Sequence, residues 1–561
     1  MQRLFFESTT SKKYHLDKIW NYRIDECNRG IDEKWYETDF GSENEIAVPS
    51  CWNTDFELFR YEGVLWYQTC FYTAASTVRV WFEGVLNQCE VYVDGKRIGS
   101  HNGGFTEFSL IADGLCGNGH RITVRVDNTH TEDSTIPLSR VDWFHYGGIF
   151  RSVVIEEIED VAFDKLKVRY DLSEDNSADV GIALFIENYG GCEVTDDLVV
   201  FLDDQEIYRK GVTVKENLEF ETERIHIENI ERWDMKNPRL YTVRIEFAGE
   251  NKMDRVGFRK IEAKKDGIYL NGSKVFLKGI NRHEEHPDWG FGVPFLITKR
   301  DVDIIADMGC NIIRGSHYPV SKKTLDYLDE KGMLFWEEIP MWGFPQEALA
   351  QEKVAEIGLN MHREMIERDF NHPSIVVWGL HNEIDTRCDA GIVVTEKFAK
   401  LVRSFHDGRL VSYATMYPLE DRCYRYADFV SVNMYIGWYE KNLEDWPAFL
   451  ENLKCRLRSE GEEKPIVMSE FGAAAIYGNH VFENVKWTEN YQSEYLAYTL
   501  DLFMRTAGIA GTVIWQFCDV RTSEEMSLTR ARSFNNKGVL NEYRKPKAAF
   551  YTVRKIYKKN I

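Results

Sequence analysis

The chain reads as two β-sandwich domains followed by a closed (β/α)8 barrel, and three observations predict this. Short alternating runs bounded by turn residues fill the first half. Near residue 263 they give way to apolar runs separated by amphipathic stretches, the signature of βα units. Eight such apolar runs follow, enough to close a parallel barrel. At 561 residues the chain is also too long for one ordinary core, so several domains are expected.

The first domain, residues 1–160, carries runs such as Val78-Arg79-Val80-Trp81-Phe82 and Glu90-Val91-Tyr92-Val93, the second closed by the hairpin signal Asp94-Gly95. Between two of its strands, residues 127–150 form a long irregular stretch rich in Asp, His, Tyr and Trp, and long loops in compact domains tend to be functional. The second domain, 161–262, repeats the strand pattern at 165–172, 178–188, 196–201 and 241–247. It reads as an immunoglobulin-like sandwich without a reactive constellation. The third, 263–561, has candidate strands at 275–279, 311–314, 334–337, 375–378, 410–413, 429–432, 466–469 and 512–515. Helical stretches at 299–308, 322–331, 354–369 and 390–406 lie between them.

Composition narrows the function. A net charge of −22 argues against nucleic acid or an anionic membrane as partner, and an anionic substrate would need a local cation to overcome that field. No run of about 18 uncharged apolar residues is present to span a bilayer. The start, Met1-Gln2-Arg3-Leu4-Phe5-Phe6-Glu7, has no apolar stretch of signal-peptide length, so a cytoplasmic protein is expected. The 11 cysteines are scattered without a Cys-x-x-Cys pair, as reduced thiols are, and indicate neither a disulfide framework nor a zinc site. His283-Glu284-Glu285-His286 lacks the helical spacing of a zinc-protease motif, so no metal and no cofactor are expected.

In a (β/α)8 barrel the active site lies at the carboxyl ends of the strands. Reading the residues there yields Arg282-His283-Glu284, Gly315-Ser316-His317-Tyr318, Glu337-Glu338, His381-Asn382-Glu383, Asn433-Met434-Tyr435, Glu470-Phe471-Gly472 and Gln516-Phe517. Carboxylates, amides, histidines and aromatics converging on one face suit sugar chemistry, in which one carboxyl protonates the leaving oxygen and another attacks the anomeric carbon. Glu383 and Glu470, after the fourth and seventh strands, form the candidate pair, and the amide of Asn382 is placed to hold a sugar hydroxyl. The structural alternative is that such glutamates only pair with Arg282 or Arg314.

Two long segments resemble the signatures of glycoside hydrolase family 2: Arg368-Asp369-Phe370-Asn371-His372-Pro373-Ser374-Ile375-Val376-Val377-Trp378-Gly379-Leu380-His381-Asn382-Glu383 and Asn311-Ile312-Ile313-Arg314-Gly315-Ser316-His317-Tyr318-Pro319. The resemblance covers essentially the whole chain. It implies a jelly-roll sugar-binding domain, an immunoglobulin-like domain and a TIM barrel, with Glu383 as general acid/base and Glu470, in Ser469-Glu470-Phe471-Gly472, as nucleophile of a retaining mechanism. Asn535-Asn536-Lys537-Gly538 resembles the Asn-x-Lys motif with which β-glucuronidases of this family hold the sugar carboxylate. The physics agrees, because Lys is a compact cation with several donors and the amide adds another.

The same resemblance implies that Tyr435, in a segment running on to Tyr439, contacts the nucleophile, that Trp515 walls the sugar, and that Asp142 reaches from the first domain to the 4-hydroxyl. His283 belongs to the implied sugar-binding set. After it, Glu284-Glu285-His286-Pro287-Asp288-Trp289 is closer to the galactosidase pattern, so a β-galacturonidase is the alternative to a β-glucuronidase, and a β-galactosidase follows. An arginine before Asn-x-Lys has two candidates, Arg530 and Arg532. The family also implies a homo-oligomer, a dimer or tetramer. From another class, a non-catalytic carbohydrate-binding protein on a degenerate barrel is opposed by the presence of both glutamates.

Overall fold

The computed structural model describes residues 3–42 and 44–559; Met1 and Gln2, where the amino-terminal reading begins, lie outside the described residues. A four-stranded antiparallel sheet (Lys12–His15, Val153–Ile158, Thr77–Phe82, Phe108–Asp113) faces a six-stranded one that includes Val64–Tyr72, Gly119–Asp127 and Gln88–Val93. Alternation drives this packing: Val78, Val80, Phe82, Val91, Ile122, Val124 and Ile155 share one buried cluster. The hairpin between Gln88–Val93 and Lys96–Asn102 turns at Asp94 (φ 49°) and Gly95 (φ 81°), the two positive dihedrals a tight type I′ turn needs.

The irregular stretch expected at 127–150 is strand at both ends, since Asp127 closes the strand Gly119–Asp127 and Gly148–Ile149 pairs with Val85–Leu86; residues 128–147 between them contain no strand and fold against the barrel. The contact is buried, with Trp143, Tyr146 and Phe150 packed on Phe291 and Tyr318 and polar pairs beside them. Tyr146 donates to Glu285 at 2.8 Å, and Arg151, just beyond, donates to Glu284 (3.0 Å) and to the Pro319 carbonyl (2.8 Å). A second sandwich follows, with Val161–Leu172, Ala178–Asn188 and Asn217–Glu221 in one sheet and Gln205–Val214, Val194–Leu202, Tyr241–Phe247 and Glu250–Val256 in the other.

The barrel is closed by eight parallel strands in sequence order: β1 (Leu277–Arg282), β2 (Ile312–Gly315), β3 (Leu334–Glu338), β4 (Ile375–Asn382), β5 (Leu410–Thr415), β6 (Val430–Asn433), β7 (Ile466–Glu470) and β8 (Ile509–Ile514). Leu277, Ile312, Leu334, Val377, Val467 and Val513 pack with Ile261, Ile268 and Leu270, so a three-stranded antiparallel sheet (Ile261–Lys264, Gly267–Leu270, Ser273–Val275) packs against the strands. Ile280, Ile313, Phe335, Trp378, Met468 and Ile514 belong instead to the cluster shared with the helices. Burial on both faces explains why these strands read as unbroken apolar runs.

Two expectations shift. Val275 belongs to the small antiparallel sheet, not to the first barrel strand, because Ser273–Val275 pairs with Gly267–Leu270. The eighth strand begins at Ile509, where Ala510 and Gly511 carry too little apolar surface to be seen in the pattern. Three long helices given no range from the sequence, Trp446–Ser459, Glu489–Arg505 and Ala548–Lys559, also pack on the barrel; Gln492 and Thr499 lie on the buried face of the second and blur its apolar period. Among the described residues the 11 cysteines are all free.

Candidate active site

A cavity of about 390 Å³ opens at the carboxyl ends of the barrel strands. Of the residues singled out from the sequence, Asp142, Glu383, Tyr435, Tyr439, Glu470, Trp515 and Lys537 line it. His283, Asn382 and Asn535 are buried and do not line it, although each touches a residue that does. A larger cavity of about 670 Å³ at the junction of the three sheet and barrel regions is lined by paired charges, such as Lys322 with Glu107 (2.9 Å) and Lys165 with Glu367 (2.6 Å).

Glu470 ends β7, where both its oxygens act as acceptors. Arg314 Nη1 donates to Oε1 at 2.9 Å and the Tyr435 hydroxyl to Oε2 at 2.7 Å. Arg314 is itself wholly buried and clamped by Glu338, which accepts from Nε (3.0 Å) and Nη2 (2.7 Å), while His317 Nδ1 lies 2.7 Å from Glu338 Oε1. Burial and the Arg314 charge push His317 down to about 3, so the ring is neutral.

Glu383 follows β4 with φ +54°, a left-handed conformation that costs a non-glycine residue about 1–3 kcal/mol and is held here by the strands around it. Its amide donates to the Ala414 carbonyl on β5 (2.9 Å), and the Gly343 amide donates to the Asn382 carbonyl just before it (3.0 Å). The turn swings the side chain into the cavity, where Asn433 Nδ2 donates to Oε1 at 2.9 Å. Burial first, and the Glu470 charge second, push the Glu383 carboxyl up to about 8. One carboxyl protonated near neutrality beside one held by donors is the equipment of glycosidic bond cleavage.

The other end of the cavity is cationic. Lys537 is 2% exposed, and its ammonium donates to the Tyr439 hydroxyl at 2.6 Å and lies 4.7 Å and 5.3 Å from the rings of Tyr439 and Tyr435. Among the described residues no carboxylate pairs with it. Arg530 forms a fork with Asp142 (2.8 and 2.6 Å) and donates to the Tyr439 hydroxyl at 3.1 Å. Arg532 turns away to Glu542 at 2.9 Å, so of the two candidates only Arg530 reaches the cavity.

The buried residues brace this wall. Asn535 donates to Asp142 Oδ2 at 2.7 Å, so its side-chain amide is engaged by a protein carboxylate. Asn382 Oδ1 accepts from Arg314 (2.7 Å) and Asn433 (3.0 Å), leaving its Nδ2 without a partner. His283 Nδ1 sits 3.1 Å from the Tyr318 hydroxyl, with its ring edge-on to Trp515 at 5.5 Å.

Comparison with known proteins fits this geometry. The family model described as "Glycosyl hydrolases family 2, TIM barrel domain" matches residues 261–561, and "Glycosyl hydrolases family 2" matches residues 161–259. The chain belongs to glycosyl hydrolases family 2. It is similar to a GH2 β-galacturonidase from Eisenbergiella tayi bound to galacturonate, with 32% identity, 100% of this chain and 99% of that chain covered, and a TM-score of 0.93. It is also similar to the β-glucuronidase of Ruminococcus gnavus, at 26% identity, 100% and 98% coverage and a TM-score of 0.87. In sequence it is 27% identical to the β-glucuronidase of Paenibacillus borealis over 98% of each chain.

This family 2 chain is a glycoside hydrolase, and its cavity holds residues that sequence reasoning did not place there. His317 and Asn433 stood in the strand-end segments without a role, and Arg314, buried beneath the cavity, stood only as a structural partner for the glutamates; Trp143, Met416 and Glu440 carried no signal, since they line the cavity from loops. As to metals, the side chains of His283, Glu284 and Glu285 face different partners, Tyr318, Arg151 and Tyr146, and form no common cage. Asp326, Asp329 and His372 cluster elsewhere, but Arg3 already forks onto Asp326 and His372 Nδ1 sits 2.5 Å from Asp329. Among the described residues no helix is long and apolar enough to cross a membrane.

Proposed function

We propose that this family 2 enzyme is a retaining exo-β-uronidase that hydrolyses β-D-glucuronides to glucuronic acid and an aglycone. One observation carries the reading: Lys537, a buried ammonium without a carboxylate partner, lines the same cavity as Glu383 and Glu470. A buried unpaired cation is costly unless a ligand anion completes it, and a uronate carboxylate would do so. Tyr439 holds Lys537 and Arg530 toward one point, which adds donors for that carboxylate. Asp142 keeps lone pairs beyond its contacts with Arg530 and Asn535 and accepts from the 4-hydroxyl, while the unpartnered Asn382 Nδ2 donates to the 2-hydroxyl.

Glu470 attacks the anomeric carbon, the glycosidic C–O bond breaks, and its electron pair goes to the leaving oxygen, which takes the Glu383 proton. The resulting ester removes the Glu470 charge, so Glu383 loses the second-largest of the causes that raise it and becomes the base that deprotonates the incoming water. Trp515 packs beside the sugar's apolar face. The unpaired thiols support a reducing, cytoplasmic setting, and family resemblance a dimer or tetramer.

A second reading, β-galacturonide hydrolysis, is favoured by the 32% identity to the Eisenbergiella tayi β-galacturonidase, above that to the glucuronidases just described. A panel of nitrophenyl β-glucuronide, β-galacturonide, β-galactoside and β-glucoside decides. The expected result is turnover of one or both uronides far above the neutral sugars. A preference for a neutral sugar would defeat the uronide reading, and no turnover at all would favour a binding protein.

Because the acid must be protonated, kcat/KM should fall as pH rises through about 8, where Glu383 loses its proton. Glu383→Gln should abolish that limb and slow alkyl uronides, with poor leaving groups, far more than nitrophenyl ones. A basic limb unchanged in this variant would assign the proton donor elsewhere.

A further inference from the structure

Arg314 is the hub of the buried floor. Besides Glu470 it serves Glu338 through two nitrogens, Asn382 Oδ1 at 2.7 Å and Asn281 Oδ1 at 3.0 Å. Glu338 is fully buried on β3, accepts two hydrogen bonds from Arg314, and has the Nδ1 of the His317 ring 2.7 Å from its Oε1. Burial pushes this carboxyl up and the Arg314 charge pulls it back down, and the two-point fork at 3.0 and 2.7 Å is the geometry of a guanidinium on a carboxylate, so one guanidinium serves two carboxylates.

Glycosyl transfer changes that balance. When Glu470 becomes an ester it ceases to be an anion, and Arg314 would be left as a bare buried cation beside an anomeric carbon that passes through an oxocarbenium-like state. Like charges so placed repel strongly in a dry site. Glu338 removes the difficulty, since the Arg314–Glu338 fork is neutral whatever Glu470 is doing.

We propose that Glu338 is a positioning residue for the reaction, acting through Arg314: it cancels the guanidinium charge through both transition states and the covalent intermediate, and aims the remaining nitrogen at Glu470. The proposal rests on Glu470 being the nucleophile and is independent of which sugar is bound. The groups facing Glu470 are Arg314, His317, Glu383 and Tyr435; those facing Glu338 are Arg314 and His317.

The test is the pH profile of Glu338→Gln on a nitrophenyl uronide. The charge of Arg314 then falls on Glu470 alone, which favours its anionic form. The acid limb of kcat/KM should therefore move to lower pH by about one unit, while the plateau drops roughly 10²- to 10³-fold. A merely structural residue would lower the plateau and leave the limb where it was, and that outcome overturns the proposal, as does a variant with full activity. Glu338→Asp keeps the charge and guards against misfolding of the amide variant. Its plateau should fall while its acid limb coincides with that of the unmodified enzyme, and a limb displaced downward in Asp would also overturn the proposal. Labelling by a 2-fluoro uronosyl fluoride separates the two levels of failure. A label away from Glu470 defeats the nucleophile assignment; a label on Glu470 with an unmoved limb defeats only the role of Glu338.

Discussion

Glu470→Gln should reduce turnover of every glycoside by roughly 10⁴- to 10⁶-fold, the scale on which loss of a covalent nucleophile is felt. The amide cannot form the glycosyl ester, and it also removes the acceptor that Arg314 and the Tyr435 hydroxyl share at 2.9 and 2.7 Å. Folding should survive, because Arg314 keeps its fork to Glu338 and so is not stranded as an unpaired buried charge. Thermal melting near that of the unmodified protein, together with activity at background, is the expected pair of results. Substantial activity in the variant, measured with contaminating host glycosidase excluded, would remove Glu470 from the mechanism.

The second large effect concerns Lys537. Its ammonium is buried against Tyr435 and Tyr439 and, among the described residues, has a hydroxyl and no carboxylate for partner, so it contributes little to the stability of the empty site and much to the hold on an anion. Removing one member of a buried charged pair typically costs about 2–5 kcal/mol. Lys537→Ala should therefore lower kcat/KM for uronides by roughly 30-fold to several thousand-fold. Neutral glycosides never make that contact, and their trace turnover should stay the same or rise slightly. Melting should be unchanged or higher, since an unpaired buried cation has gone. Equal losses on charged and neutral sugars would mean that Lys537 only braces its loop, and the uronide reading would give way to a generic family 2 glycosidase.

Much of this site was legible because barrel chemistry sits where a local pattern ends. Each apolar run marks a strand, the residue after it faces the mouth, and Glu383 and Glu470 are found by counting along the chain. Lys537 was singled out differently, by the resemblance of Asn535-Asn536-Lys537 to a family motif after the eighth strand. Trp143, Met416 and Glu440 were not, since loops carry no periodicity that says which side chain turns inward.

Sequence by itself determined the sandwiches and the barrel and singled out the candidate carboxylates and the candidate cation, because each is written in a short local pattern of the chain. Only the tertiary structure decided the partners. Arg530 and Arg532 are equal in the sequence; positive φ at Arg532 (62°) and Ser533 (57°) turns the loop so that Arg530 meets Asp142, 388 residues away, and Arg532 meets Glu542. Arg314 reaches Glu470 across 156 residues and Glu338 across 24, and the buried floor that joins them exists only once the sheet closes. Charge balance in a buried site depends on distances in space, and a linear pattern holds no record of them.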